Sequence, residues 1–206
     1  MPHCESAARP ERAVPLRATP DGGAVTSAHD EPRLLTTPLT IEAARSLQAG
    51  EAVRITGEIY TARDAAHRRL MDLLEAGEPL PLPLEGAVIY YCGPTPAPPG
   101  RPIGSAGPTT SSRMDAYAPR LHAQGVRATI GKGPRSPGVR AALQEHGAVY
   151  LVAVGGVGAL LAEHITAAEL VAFEELGAEA IRKLTVRDFP AIVAYDAHGR
   201  SAFAGE

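Results

Sequence analysis

The chain has two cysteines among its 206 residues, two lysines among its 20 basic residues, and no asparagine. Cys4 and Cys92 make neither a disulfide framework nor a metal site by themselves. Cys92 follows a hydrophobic run and reads as a small buried residue. No run of basic residues stands out and the formal net charge is -3, so the electrostatic footprint of a nucleic-acid binder is missing. No apolar stretch is long enough to span a membrane, and the N-terminus lacks the apolar core of a secretion signal. A soluble, cytoplasmic protein is expected, with no internal repeat. At 45% hydrophobic, a chain of this length supports one main domain rather than two large ones.

The scarcity of lysine is informative. The composition pushes basic positions toward arginine, so Lys132, which stands between two glycines in "IGKGPRS", is a better functional candidate than an ordinary surface lysine.

Residues 1–33 mix Pro, Arg, Ala and Asp without apolar periodicity and read as a disordered leader; residues 34–206 form the folded domain. Thr40 is placed to cap a short helix that ends at Gly50. "AVRITGEIYT" reads as a strand, and "AAHRRLMDLLEAG" as a helix capped by Asp64 and stopped at Gly77. "GAVIYYCG" has the continuous apolar run of a strand covered on both faces. "VRATIG" is a short strand, residues 136–146 are helical with Ser136 and Pro137 in the first turn, and "AVYLVAVGG" is the clearest buried strand. "VGALLAEHI" reads as a helix followed by "AELVAFEEL", and "FPAIVAYDAHG" as a late strand. This alternation predicts a mixed α/β domain with helices over a largely parallel sheet.

Between these elements lies "GSAGPTTSSRMD", residues 104–115, with two glycines, five hydroxyl side chains and one arginine. Gly104, Gly107 and Pro108 let backbone approach a ligand closely. Ser111 or Ser112 is suited to cap a helix near Arg113, whose start would offer free N–H groups to an anion. Arg113 has the fork that clamps a carboxylate. "IGKG" adds a second cation on a loop after a strand.

In their order, "GEIYTARDAAHRRL", "YYCGPTPAPPGRPIGSAGPTTSSRMD", "IGKGPRS" and "FPAIVAYDAHG" resemble the β subunit, or C-terminal domain, of the iron-sulfur hydro-lyases that include class I fumarases and L-tartrate dehydratases. The resemblance covers nearly everything from Leu34 onward. It implies a swivelling β/β/α domain and reversible hydration of a small dicarboxylic acid, with fumarate/malate first and L-tartrate as the alternative. A non-catalytic anion-binding module on the same scaffold is the runner-up. Position by position, it implies that Thr109 exchanges the proton beside a substrate carboxylate, that Arg63 and Arg113 bind substrate carboxylates, and that Lys132 serves the same pocket in binding and catalysis. His67, Asp64 and Ser111 form a supporting ring; for His67, packing and direct contact both remain open, and Asp64 is a helix cap rather than a catalyst. It also implies a [4Fe-4S] cluster. Cluster ligation takes about three or four thiolates, so the cluster is expected on a separate α subunit in an α2β2 assembly.

Overall fold

A computed structural model of the chain describes residues 31–153 and 156–203. All but the last three residues of the expected leader lie outside the described residues, as does Cys4.

The described residues form a mixed α/β unit of seven strands and five α-helices. In chain order the elements are β1 (Arg33–Thr36), α1 (Ile41–Ser46), β2 (Ala52–Thr61), α2 (Asp64–Ala76), β3 (Val88–Tyr90), α3 (Ala118–Ala123), β4 (Ala128–Gly131), α4 (Pro137–His146), β5 (Val149–Val152), α5 (Gly158–Glu163), β6 (Ile165–Ala172) and β7 (Ile181–Tyr195). Short 3-10 segments span Ser111–Met114 and Glu174–Glu179. The α1 cap is as expected: Thr40 Oγ1 accepts from the Ala43 N–H at 3.1 Å. The helix nevertheless stops at Ser46, because buried Leu47 turns the chain to extended backbone. Ser136 likewise caps α4, accepting from the Val139 N–H.

Strands β1 to β5 pair in parallel as successive neighbours. The expected sheet with helices laid over it needs correcting at this point. β7 runs antiparallel to both β5 and β2, so β2, β3, β4, β5 and β7 close into a five-stranded barrel-like ring. β1 extends the ring beside the first half of β2, and β6 extends it beside the first half of β7. The late strand is longer than "FPAIVAYDAHG" suggests. Its first half interleaves Arg182, Lys183, Arg187 and Asp188 with buried Ile181, Leu184 and Val186, which hides it from a search for apolar runs. "AELVAFEEL" also departs from a helical reading. It has the Ala, Glu and Leu content of a helix, but residues up to Ala172 form the end of β6, where pairing with β7 overrides a weak local preference.

All five ring strands turn side chains toward one buried cluster, which includes Ile55, Ile59, Tyr90, Ile130, Leu151, Leu184, Phe189 and Val193. The opposite faces of β3 and β5 carry Ile89 and Tyr150, which pack against residues of α2 and α4 respectively. These central strands are therefore buried on both sides, as the apolar runs require.

His67 of α2 and His122 of α3 are completely buried. Each donates from Nδ1 to a main-chain carbonyl at 2.8 Å, of Arg63 and Val126 respectively, and each Nε2 is buried without a partner. Desolvation pushes both imidazoles down to about 4. The folded value lies below the roughly 6.5 of an exposed imidazole, so the unfolded chain takes up these protons first as pH falls. Stability is therefore greatest above pH 6.5 and declines toward pH 4, by at most about 1.4 kcal/mol per pH unit for each group. Urea unfolding between pH 7.5 and 4.5 should show this decline, and His122→Gln should flatten it; an unchanged slope in the variant would exclude His122 as a source.

Candidate active site

Parallel strands collect functional groups at their C-terminal ends, where the chain leaves the sheet. β2 runs on to Arg63, β3 to Tyr91, Cys92 and Gly93, and β4 to Lys132. The "GPTTSSRM" segment lies between the tails of β3 and β4. Pro108 bridges to Cys92, and Thr110 bridges to Lys132. The Thr109 N–H donates to the Tyr91 carbonyl at 2.7 Å, and the Thr109 carbonyl accepts from the Lys132 N–H at 3.2 Å. Thr109 and Lys132, 23 residues apart in sequence, are thus main-chain neighbours.

Arg113, in the 3-10 turn that follows, donates from Nε to Asp64 Oδ1 at 2.8 Å. Arg63 places Nη2 3.8 Å from Asp64 Oδ2 and 3.2 Å from Glu179 Oε1. Asp64 therefore joins the two guanidinium groups assigned to substrate carboxylates. Arg113 is half exposed and Lys132 is exposed with no ion pair among the described residues, so both remain open to an incoming anion.

Three local readings change. Asp64 does not cap α2: Arg63 holds the cap position, and the Asp64 carboxylate turns toward the two arginines. The helix start is capped instead by Glu179, whose Oε2 accepts from the Ala65 N–H at 2.9 Å. Neither Ser111 nor Ser112 caps an anion-binding helix, because the turn is a four-residue 3-10 segment with Thr110 at its cap position. Ser111 is buried, with Oγ 2.8 Å from the Tyr150 hydroxyl. A Cβ on Gly131 would lie 1.9 Å from that Oγ, so the turn seats against β4 only over a glycine. His67 lies under the site rather than in it. Its ring packs edge-on to Tyr91 and beside Tyr117, and its bond to the Arg63 carbonyl fixes the first turn of α2.

Residues 11–205 match the family described as Fumarase C-terminus. The chain belongs to that family. It is 44% identical over 151 residues to the anaerobic class I fumarate hydratase of Escherichia coli, covering 72% of this chain and 28% of that protein. It is 42% identical over 182 residues to a putative class I fumarate hydratase of Geobacillus stearothermophilus, covering 85% and 34%. A putative L(+)-tartrate dehydratase subunit beta of Methanocaldococcus jannaschii is 38% identical over 175 residues, covering 80% of this chain and 88% of that protein. The chain thus spans about a third or less of the fumarate hydratases it matches and most of the tartrate dehydratase subunit.

The described residues offer no ligand set for the iron-sulfur cluster that the sequence resemblance implies. Among the described residues no group of three or more His, Cys, Asp or Glu side chains is arranged to hold a metal. Cys92 is buried, and desolvation pushes its thiol up to about 12, away from the thiolate a metal needs. No helix among the described residues is long and apolar enough to cross a membrane.

Three further residues hold the site loops together and were not singled out by the sequence. Arg135, three residues after Lys132, has a fully buried side chain and donates from Nε to Asp115 Oδ1 at 2.7 Å. Asp115, two residues after Arg113, also accepts from the Ser136 N–H at 2.7 Å. The Arg135 guanidinium lies over the rings of Tyr91 and Tyr150. The Tyr150 hydroxyl bridges the loops, 2.8 Å from Ser111 Oγ and 2.9 Å from the Gly133 carbonyl oxygen. Arg135 is the next-to-last residue of "IGKGPRS" and Asp115 ends "SSRMD", which was the available signal; their pairing was not. Asp115→Ala leaves the Arg135 charge buried and unpaired, and should cost about 3 kcal/mol or more in urea unfolding. A loss within about 0.5 kcal/mol would show that the clasp contributes nothing.

Proposed function

We propose that this chain is the β subunit of an iron-sulfur-dependent hydro-lyase that reversibly adds water to, or removes it from, a small dicarboxylic acid, with fumarate and malate as the pair. The carrying observation is the convergence of Arg63 and Arg113 on Asp64. Two guanidinium groups from positions 50 residues apart are set side by side at the strand ends, with exposed Lys132 and the Thr109 segment following. The fumarate hydratase relatives support the substrate. The likeness to most of a putative tartrate dehydratase subunit beta supports a separate subunit and keeps L-tartrate as a second reading. The partner is an α subunit carrying the cluster, in a cytoplasmic α2β2 assembly.

In the dehydration direction a proton leaves the carbon beside a carboxylate, and charge builds onto that carboxylate. Fixed cations there bind the transition state more tightly than the ground state. Arg63, Arg113 and Lys132 supply them. Thr109 takes the proton on its side-chain oxygen. A threonine hydroxyl is a poor base unless its own proton has first passed to solvent or a partner base and the resulting alkoxide is stabilised, a role that the cations next to the Thr109 segment would fill. The hydroxide leaves from the adjacent carbon. Its acceptor is a Lewis acid that the described residues do not provide, so that half of the reaction is left to the α subunit.

Three outcomes test the reading. The chain alone should turn over no dicarboxylate, and co-production with a cysteine-bearing α subunit should confer activity under anaerobic conditions; an assembled pair inactive on fumarate, malate and tartrate would favour the non-catalytic binding module. Arg113→Lys in the assembly should lower kcat/KM at least tenfold, about 1.4 kcal/mol, because an ammonium cannot reproduce the bidentate fork. Thr109→Val should depress kcat far more than it raises KM. Undiminished exchange of the substrate C–H proton with solvent in that variant would place the base elsewhere.

A further inference from the structure

Glu179 lies outside every motif that the sequence singled out, yet its carboxylate touches both the main chain and the guanidinium of the Arg63 region. We propose that Glu179 is a positioning residue that presets the Arg63 guanidinium for a substrate carboxylate, an inference that rests on the hydro-lyase reading above.

The two oxygens of Glu179 do different work. Oε2 accepts from the Ala65 N–H at 2.9 Å, one of the unpaired donors at the start of α2, and this anchors the carboxylate to the helix. Oε1 lies 3.2 Å from Arg63 Nη2. Arg63 is the cap residue of that same helix and makes no side-chain cap bond of its own. Its guanidinium is therefore held in place relative to its own backbone by a carboxylate that arrives 116 residues later in the chain. The other neighbour cannot substitute. Asp64 is 3.8 Å from Arg63 Nη2 but 2.8 Å from Arg113 Nε, so its close partner is Arg113.

A further side of Arg63 lies against main chain, while the side chain keeps 21% of its surface exposed for a ligand. A Cβ on Gly93 would lie 2.8 Å from Arg63 Nη1, 3.1 Å from Arg63 Cδ and 3.2 Å from the Ala178 carbonyl oxygen. Arg63 thus lies against the β3 tail on one side and against the residues just before β7 on the other. Meanwhile Arg63 Nε is buried with its hydrogen-bonding capacity unspent. A long side chain with several free torsions is fixed before any ligand arrives, which lowers the ordering cost of binding and sets the direction of the fork. The irregular Glu174–Glu179 segment between β6 and β7 gains a purpose from this: it delivers Glu179 to the tail of β2.

The test has one arm that needs no activity and one that does. In the full chain labelled with 15N-arginine, the Arg63 Nε–H resonance, identified by its loss in Arg63→Lys, should have the order of rigid backbone, and in Glu179→Gln its order parameter should fall below about 0.6. An Arg63 equally ordered in both proteins would overturn the proposal. In the assembly with the α subunit, Glu179→Gln should raise KM at least fivefold with a smaller change in kcat. Combined with Arg63→Gln, it should add almost nothing to the loss caused by Arg63→Gln alone. Additive losses would mean that Glu179 acts on general stability instead, and would also overturn it. A wild-type assembly without hydro-lyase activity would overturn the reading of the reaction, and the resonance would still report whether Glu179 holds Arg63.

Discussion

The antiparallel pairing of β7 with β2 is the constraint on which the other features depend. It runs from Ala52 opposite Ile192 to Tyr60 opposite Lys183, with a bulge near Gly57. Without it, β2 to β5 would form a small parallel sheet with one open edge at β5 and a half-covered edge at β2. With it, the edges of the ring strands are paired, and the side chains they turn inward share one apolar interior. The same pairing brings the residues just before β7, including Glu179, beside the end of β2, where Arg63 begins.

Charge arithmetic at the strand ends explains how a cationic site is kept in a chain that is acidic overall. Arg63 and Arg113 are matched against Asp64 and Glu179, so the pair of guanidinium groups is locally neutral and its geometry is held by short contacts. Lys132 supplies the excess positive charge on the exposed side of the Thr109 segment. Under the proposed reading, a dianionic ligand would meet arginines that are already oriented and a lysine that has no ion pair among the described residues. Partly exposed ion pairs of this kind contribute modestly to stability; their value lies in orientation.

Beneath that exposed layer the buried Arg135–Asp115 pair sets the spacing of the two loops that bear Arg113 and Lys132. Its charge is enclosed by the Tyr91 and Tyr150 rings and by hydrogen bonds to both partners, as an ion pair removed from water requires. The loops are consequently tied below the surface, while the side chains above stay accessible.

Much of this was present in the sequence. Apolar runs located β3 and β5, strand-like patterns located β2 and β4, capping residues located the starts of α1 and α4, and the order of four motifs indicated the family that residues 11–205 match. Local signals suffice for such features because a cap, a stop or a buried strand depends on residues within a few positions of one another. Ring closure did not show, since it depends on a strand whose first half alternates charged and apolar residues and pairs with β2, more than 120 residues earlier. For the same reason the β6 segment read by composition is helix-like, and only its partner strand makes it extended. The site divided along the same line. The sequence determined which residue types were present, namely Arg63, Thr109, Arg113 and Lys132. Tertiary structure alone decided that Asp64 would join two arginines instead of capping a helix, that His67 would be buried, and that Glu179 and Arg135 would hold the site in place, because each of these outcomes is set by a partner distant in the chain or by the backbone path that brings it near.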